Sequence, residues 1–73
     1  MNESEISVAS MHRLCKKTGA ERVSEAAAKE LARVLEEIGL NIAKEALDYA
    51  VYAGRITIKT EDIEIATRKI TEK

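Results

Sequence analysis

Residues 25–53, EAAAKELARVLEEIGLNIAKEALDYAVYA, are nearly all strong helix formers. Leu31, Leu35, Ile38, Ile42, Ala46 and Tyr49 recur at spacings of three and four, which puts them on one helical face. Val34, Leu47, Ala50 and Ala53 widen that stripe. Ser24 supplies an N-cap and Glu25 a negative charge in the first turn. Ala27 stands where a capping box needs Glu or Gln. Gly54 ends the helix. Gly39 lies inside it at a cost of about 1 kcal/mol relative to Ala, which close approach of another helix at the midpoint would explain. A helix of this extent is about 45 Å long at 1.5 Å per residue. A compact chain of this size has a radius of gyration of about 11 Å. One copy therefore cannot cover the stripe along its whole length, and a second molecule must. Leu31, Leu35, Ile38, Ile42 and Ala46 are the candidate dimer core.

Two shorter helices flank this one. The first is expected over about residues 8–18, with Ser7 as N-cap and Gly19 as the left-handed residue after its end. Val8, Met11, Leu14 and Cys15 share a face, and Lys16 and Lys17 complement the dipole in the last turn. After Gly54, Arg55-Ile56-Thr57-Ile58 alternates and reads as a short extended segment. Thr60 is expected to cap a third helix over about 61–70, with Glu61 and Asp62 in its first turn and Ile63, Ala66 and Ile70 on its apolar face. Residues 1–6 and 71–73 are expected to be tails.

The chain has 73 residues, enough for one small domain, with no Pro, Trp or Phe. Cores of this size are marginal alone and lean on a disulfide, a metal or a partner. Cys15 is the one cysteine and His12 the one histidine, so neither an internal disulfide nor a structural zinc site is expected, and a partner chain remains. His12 reads as a surface residue and Cys15 as a small buried apolar side chain. No cofactor or metal is expected. No glycine-rich phosphate loop or nucleophile–base pair is present, so the chain does not read as an enzyme. One cysteine and no signal peptide suggest the cytoplasm, and no apolar run approaches the roughly 20 residues of a membrane span. Twelve basic against thirteen acidic residues give a net charge of -1. That total does not announce a nucleic-acid binder, so the placement of charge must carry any such argument. Glu25, Glu30, Glu36, Glu37, Glu45 and Asp48 lie along the long helix.

Gly19-Ala20-Glu21-Arg22-Val23-Ser24 resembles the first-loop motif of archaeal histones. Ala53-Gly54-Arg55-Ile56-Thr57-Ile58-Lys59-Thr60-Glu61-Asp62-Ile63 resembles their second-loop motif, and Leu35-Glu36-Glu37-Ile38-Gly39 their mid-helix stretch. The likeness covers about Ile6 to Ile70. It implies an all-α histone fold: short helix, loop, long central helix, loop, short helix, over a single domain of residues 1–73, paired as a handshake dimer. It also implies that each first loop lies beside the partner's second loop and that these paired loops face double-stranded DNA. By that resemblance Arg22 enters the minor groove, where negative potential concentrates. Arg55 and Asp62 form a pair that braces the second loop through a forked guanidinium–carboxylate contact. Thr57 lies beside the inserted arginine, although β-propensity alone also accounts for it. Ser24, Arg55 and Lys59 join the DNA-facing set, Lys59 as a phosphate contact. Arg13 matches a phosphate-contact position. Lys16 and Lys17 fit either a phosphate contact or solvated surface.

Several positions depart from the family pattern. Ile56 stands where many relatives carry Lys or Arg, and Leu40 and Val51 replace basic residues. Glu3 and Glu5 disfavour phosphate near the first helix. Tyr52 occupies a position where relatives commonly have a His that bonds the residue matching Asp62 across a contact between dimers. A Tyr cannot become cationic. Tyr49, Tyr52 and Asp62 are therefore the candidate dimer–dimer contact, with stacking of the usual kind in question. Two functions follow. One is a sequence-nonspecific architectural DNA binder of archaeal chromatin, nucleoid-associated, a homodimer or a tetramer or longer stack on DNA. The other is a histone-fold interaction module that pairs with itself or other histones, and modulates or caps filaments while binding DNA weakly.

Overall fold

The computed structural model describes residues 5–71. It contains α1 (Val8–Lys17), α2 (Glu25–Tyr52) and α3 (Thr60–Thr71), with no strand among the described residues. This is the short–long–short order of a histone fold. Each start and stop has a local cause. The Ser7 hydroxyl accepts from the Ser10 N–H at 3.1 Å, and the Ser24 hydroxyl from the Ala27 N–H at 3.0 Å, so both serines cap as expected. At the end of α2 the Arg55 N–H donates to the Ala50 carbonyl and the Gly54 N–H to the Val51 carbonyl, both at 2.9 Å. Gly54 has φ +79°, so this is a Schellman turn. Thr18 and Ala53 fall into the caps, which is why α1 and α2 each end one residue before the sequence suggests.

Three expectations need correction. Thr60 is the first helical residue of α3, and Lys59 is its cap: the Asp62 and Ile63 N–H groups donate to the Lys59 carbonyl. In return the Asp62 carboxylate accepts from the Lys59 N–H at 2.8 Å. An acid three residues into a helix thus closes half a capping box without a hydroxyl at the cap. Arg55–Ile58 is not strand-like; the chain bends at Ile56 and Thr57. A single extended segment has no ladder partner for its backbone, and the Arg55 guanidinium takes the Thr57 carbonyl instead, at 3.0 Å. Ile6 does not belong to a tail, because it packs on the first core cluster. Glu5, just before it, donates its N–H to Glu36 Oε1 at 3.0 Å. Nor does Thr71 belong to a tail: it is the last residue of α3 and donates its hydroxyl to the Thr67 carbonyl at 2.8 Å. Residues 1–4 and 72–73, Glu3 among them, lie outside the described residues.

The chain divides into two compact units, Met1–Glu37 and Ile38–Lys73. In the first, Met11, Ala28 and Ala32 form a buried cluster, with Ile6, Val8, Val23, Leu31 and Leu35 packed against it. In the second, Ala46, Ala50 and Ala66 are buried together with Asp62. His12 and Cys15 are half-buried, more covered and less covered respectively than their residue types suggested.

Five of the six buried apolar residues are alanines, and no large side chain is fully buried among the described residues. Full burial of a Leu or Ile is worth about 1.5–3 kcal/mol, and an alanine methyl far less. Meanwhile Ile38, Leu40, Leu47 and Val51 of α2 are exposed, Val51 to 61%. Of the candidate dimer core, Leu31, Leu35 and Ile42 are half-buried, Ile38 is exposed and Ala46 is buried.

The Schellman turn supplies a direct test. Apart from its chain neighbours, nothing among the described residues lies within 4 Å of a Cβ placed on Gly54, so Gly54→Ala should cost only the left-handed conformation, about 1–2 kcal/mol. Urea unfolding should show a lower midpoint with an unchanged m-value. An unchanged midpoint would mean that the turn contributes nothing.

Candidate nucleic-acid interface

The loop after α2 is organised by one ion pair. Arg55 donates from one terminal nitrogen to Asp62 Oδ2 at 2.8 Å and from the other to Oδ1 at 3.1 Å. The first nitrogen also reaches the Thr57 carbonyl, while Oδ2 accepts from the Lys59 N–H. The guanidinium therefore closes the bend at Ile56–Thr57, and the carboxylate ties that bend to the start of α3. Asp62 is 2% exposed. The hydrogen bonds from Arg55 and then from the Lys59 N–H hold its carboxyl down at about 2, and the same pair raises Arg55. Both ions are present at neutral pH and satisfy one another. The pair removes an acid from the loop surface while leaving the Thr57 and Lys59 side chains exposed. Asp62 was also a candidate contact between dimers. Its carboxylate is engaged within its own loop, so an external donor would have to share it with Arg55.

The loop between α1 and α2 is fixed differently. Thr18 Oγ1 donates to the Cys15 carbonyl at 2.6 Å. The Gly19 N–H donates to the Lys16 carbonyl at 3.0 Å, with Gly19 at φ +104°. Lys16 Nζ donates to the Glu21 carbonyl at 2.8 Å, and Val23 packs on the first core cluster. Arg22, between Glu21 and Val23, is exposed and makes no ion pair among the described residues. Ser24 is occupied with the cap of α2. On α1, Arg13 donates to the Ser10 hydroxyl at 3.1 Å, and Lys17 is exposed.

These residues fall in two groups. Arg13, Lys16, Lys17, Arg22 and Ser24 belong to the first unit, and Arg55, Thr57, Lys59 and Asp62 to the second. Elsewhere Arg33 is held by Glu30 at 2.7 Å and Glu37 at 3.4 Å, and Lys69 by Glu45 at 2.7 Å. Tyr49 is half-buried, and Tyr52 is 93% exposed. Sequence reasoning missed the Lys16–Glu21 contact, because nothing in the spacing shows the chain doubling back over the end of α1. It also missed that Asp62 caps α3, although an acid at the third helical position was a visible signal. No group of acids, His and Cys among the described residues could hold a metal, and no helix there is long and apolar enough to cross a membrane.

A family model described as histone-like transcription factor (CBF/NF-Y) and archaeal histone matches residues 4–67. One of the HAN1 archaeal histone proteins of Thermococcus zilligii is 48% identical over 64 residues, covering 88% of this chain and 96% of that protein. Probable archaeal histone 3 from Methanocaldococcus jannaschii is 52% identical with the same coverage.

The brace predicts a pH dependence. The Asp62 carboxyl falls from its ordinary 3.8 to about 2 in the fold. Its contribution to stability is complete above the ordinary value and is lost as the pH drops towards 2. Thermal unfolding followed from pH 5 to pH 2 should show an acid-induced loss that is smaller in Asp62→Asn. Parallel acid profiles for the two proteins would contradict the assignment.

Proposed function

This chain belongs to the family of histone-like transcription factors (CBF/NF-Y) and archaeal histones, and we propose that it is an architectural DNA-binding protein that works as a homodimer on duplex DNA without reading sequence. It acts as one histone-fold domain in archaeal chromatin, associated with the nucleoid in the cytoplasm, and it is not an enzyme. The observation that carries this reading is the braced second loop. Its acid is buried under a guanidinium while Thr57 and Lys59 stay exposed. Arg22 stands exposed in the other loop. Lys59 contacts phosphate, Arg22 enters the minor groove, and Arg55 acts by holding the loop. Arg13 and Lys17 add phosphate contacts.

Dimerisation joins these groups. The exposed apolar residues of α2 give a second copy its binding surface. In the handshake arrangement that the family resemblance implies, each first loop meets the partner's second loop, so Arg22 of one protomer works beside Thr57 and Lys59 of the other. Gly39 suits the crossing point, because beyond the adjoining helix backbone no atom of the described residues lies within 4 Å of a Cβ placed there.

A second reading rests on Tyr52 and Val51, exposed near the end of α2. They suit protein contacts, so the chain pairs with other histones or ends a filament and binds DNA weakly.

Gel-shift titration on a mixed-sequence duplex at two salt concentrations separates the two. With about six phosphates neutralised per dimer, log K should fall with log salt at a slope of roughly -5. The Arg22→Ala, Lys59→Ala double variant should lose most of its low-salt binding. Equal affinity for the variant and the natural protein would reject the proposed face. A dimer that ignores DNA at low salt would favour the second reading.

A further inference from the structure

We infer that Lys16 is a positioning residue for Arg22: its ammonium holds the first loop in the shape that presents Arg22, rather than contacting phosphate itself. This inference rests on the DNA-binding reading above. Lys16 touches the loop twice. Its carbonyl accepts from the Gly19 N–H at 3.0 Å, and its Nζ donates to the Glu21 carbonyl at 2.8 Å. A residue in the last turn of α1 thus also returns to grip the chain five positions on.

The position of that grip matters. Glu21 immediately precedes Arg22, and Val23 immediately follows it. The Val23 side chain is anchored on the cluster of Met11, Ala28 and Ala32. Arg22 therefore sits between a backbone carbonyl held by Lys16 and a side chain held by the core. Without the Lys16 contact, only the Val23 side would be fixed, and the peptide preceding Arg22 would be free to rotate. Ordering a loosened segment on a ligand costs binding free energy, and a segment ordered beforehand avoids much of that cost. The second loop has an analogous device in Arg55, which also bonds a backbone carbonyl two residues from itself. Each loop thus has a cation bonded to its own backbone, Lys16 or Arg55, and an exposed cation beside it, Arg22 or Lys59.

A positioning role and a phosphate contact differ in what they predict. A residue that acts through Arg22 loses its effect when Arg22 is gone, whereas an independent phosphate contact adds to Arg22 and lowers the salt slope by about 0.9 per contact. Lys16→Met keeps the length of the stem and removes the donor. Backbone nitrogen-15 relaxation on the free protein should show the Glu21, Arg22 and Val23 amides loosening in Lys16→Met while the amides of α1 stay unchanged. Lys16→Arg, which keeps a donor, should restore their order. In duplex binding Lys16→Met should weaken affinity by about three- to tenfold, the range of one lost hydrogen bond, and should have no further effect when added to Arg22→Ala. Unchanged order at Arg22 would overturn the inference, and so would an equal loss with and without Arg22. An Arg22→Ala protein that binds duplex as tightly as the natural one would instead reject the functional reading, with the relaxation result still judging the grip of Lys16 on its loop.

Discussion

The proposed pairing follows from how poorly the chain shelters its own apolar residues. α2 runs for 28 residues with apolar side chains along much of its surface. What the single chain buries, among its described residues, is chiefly alanine, most of it on α2 itself. The large residues, Ile38, Leu40, Leu47 and Val51, remain in contact with water. Small domains are already marginal because surface falls slowly with size, and a core of methyl groups makes the deficit worse. A second copy laid along α2 would recover the missing apolar burial. In the proposed handshake it would also set the first loop of one protomer beside the second loop of the other. On that proposal, stability and the assembly of the cationic surface are the same event.

The proposed DNA face raises a second problem, which is how a chain with more acid than base can present a surface to phosphate. Local pairing answers part of it. Arg55 and Asp62 neutralise one another inside the second loop. Arg33 is committed to Glu30 and Glu37 on α2, and Lys69 to Glu45. The exposed pairs contribute little to stability. Their consequence is electrostatic: part of the acidic surface of α2 is cancelled in place, while Arg22 and Lys59 keep their charge facing solvent.

The helix pattern was legible because its signals are local. Ser7 and Ser24 cap through their own hydroxyls, and Gly19 and Gly54 end helices through a backbone conformation that other residues resist. The period of apolar residues in α2 is visible without any partner. Thr60 misled because a hydroxyl before an acidic turn is the usual cap, whereas Asp62 reaches back to Lys59 and makes one unnecessary. The extended look of Arg55–Ile58 came from β-branching, and the Arg55 side chain overrode it by closing a bend. The grip of Lys16 on Glu21 could not be read, since it depends on how sharply the chain reverses after Gly19. Ile56 is 97% exposed, and nothing in the chain explains it.

The central claim is that this chain is folded only when paired. Sedimentation equilibrium combined with thermal unfolding, over a wide range of concentrations, tests it most directly. The account predicts a folded species of twice the 8.1 kDa chain mass, and an unfolding temperature that rises with protein concentration. A folded species of single-chain mass, melting at the same temperature however far it is diluted, would contradict it.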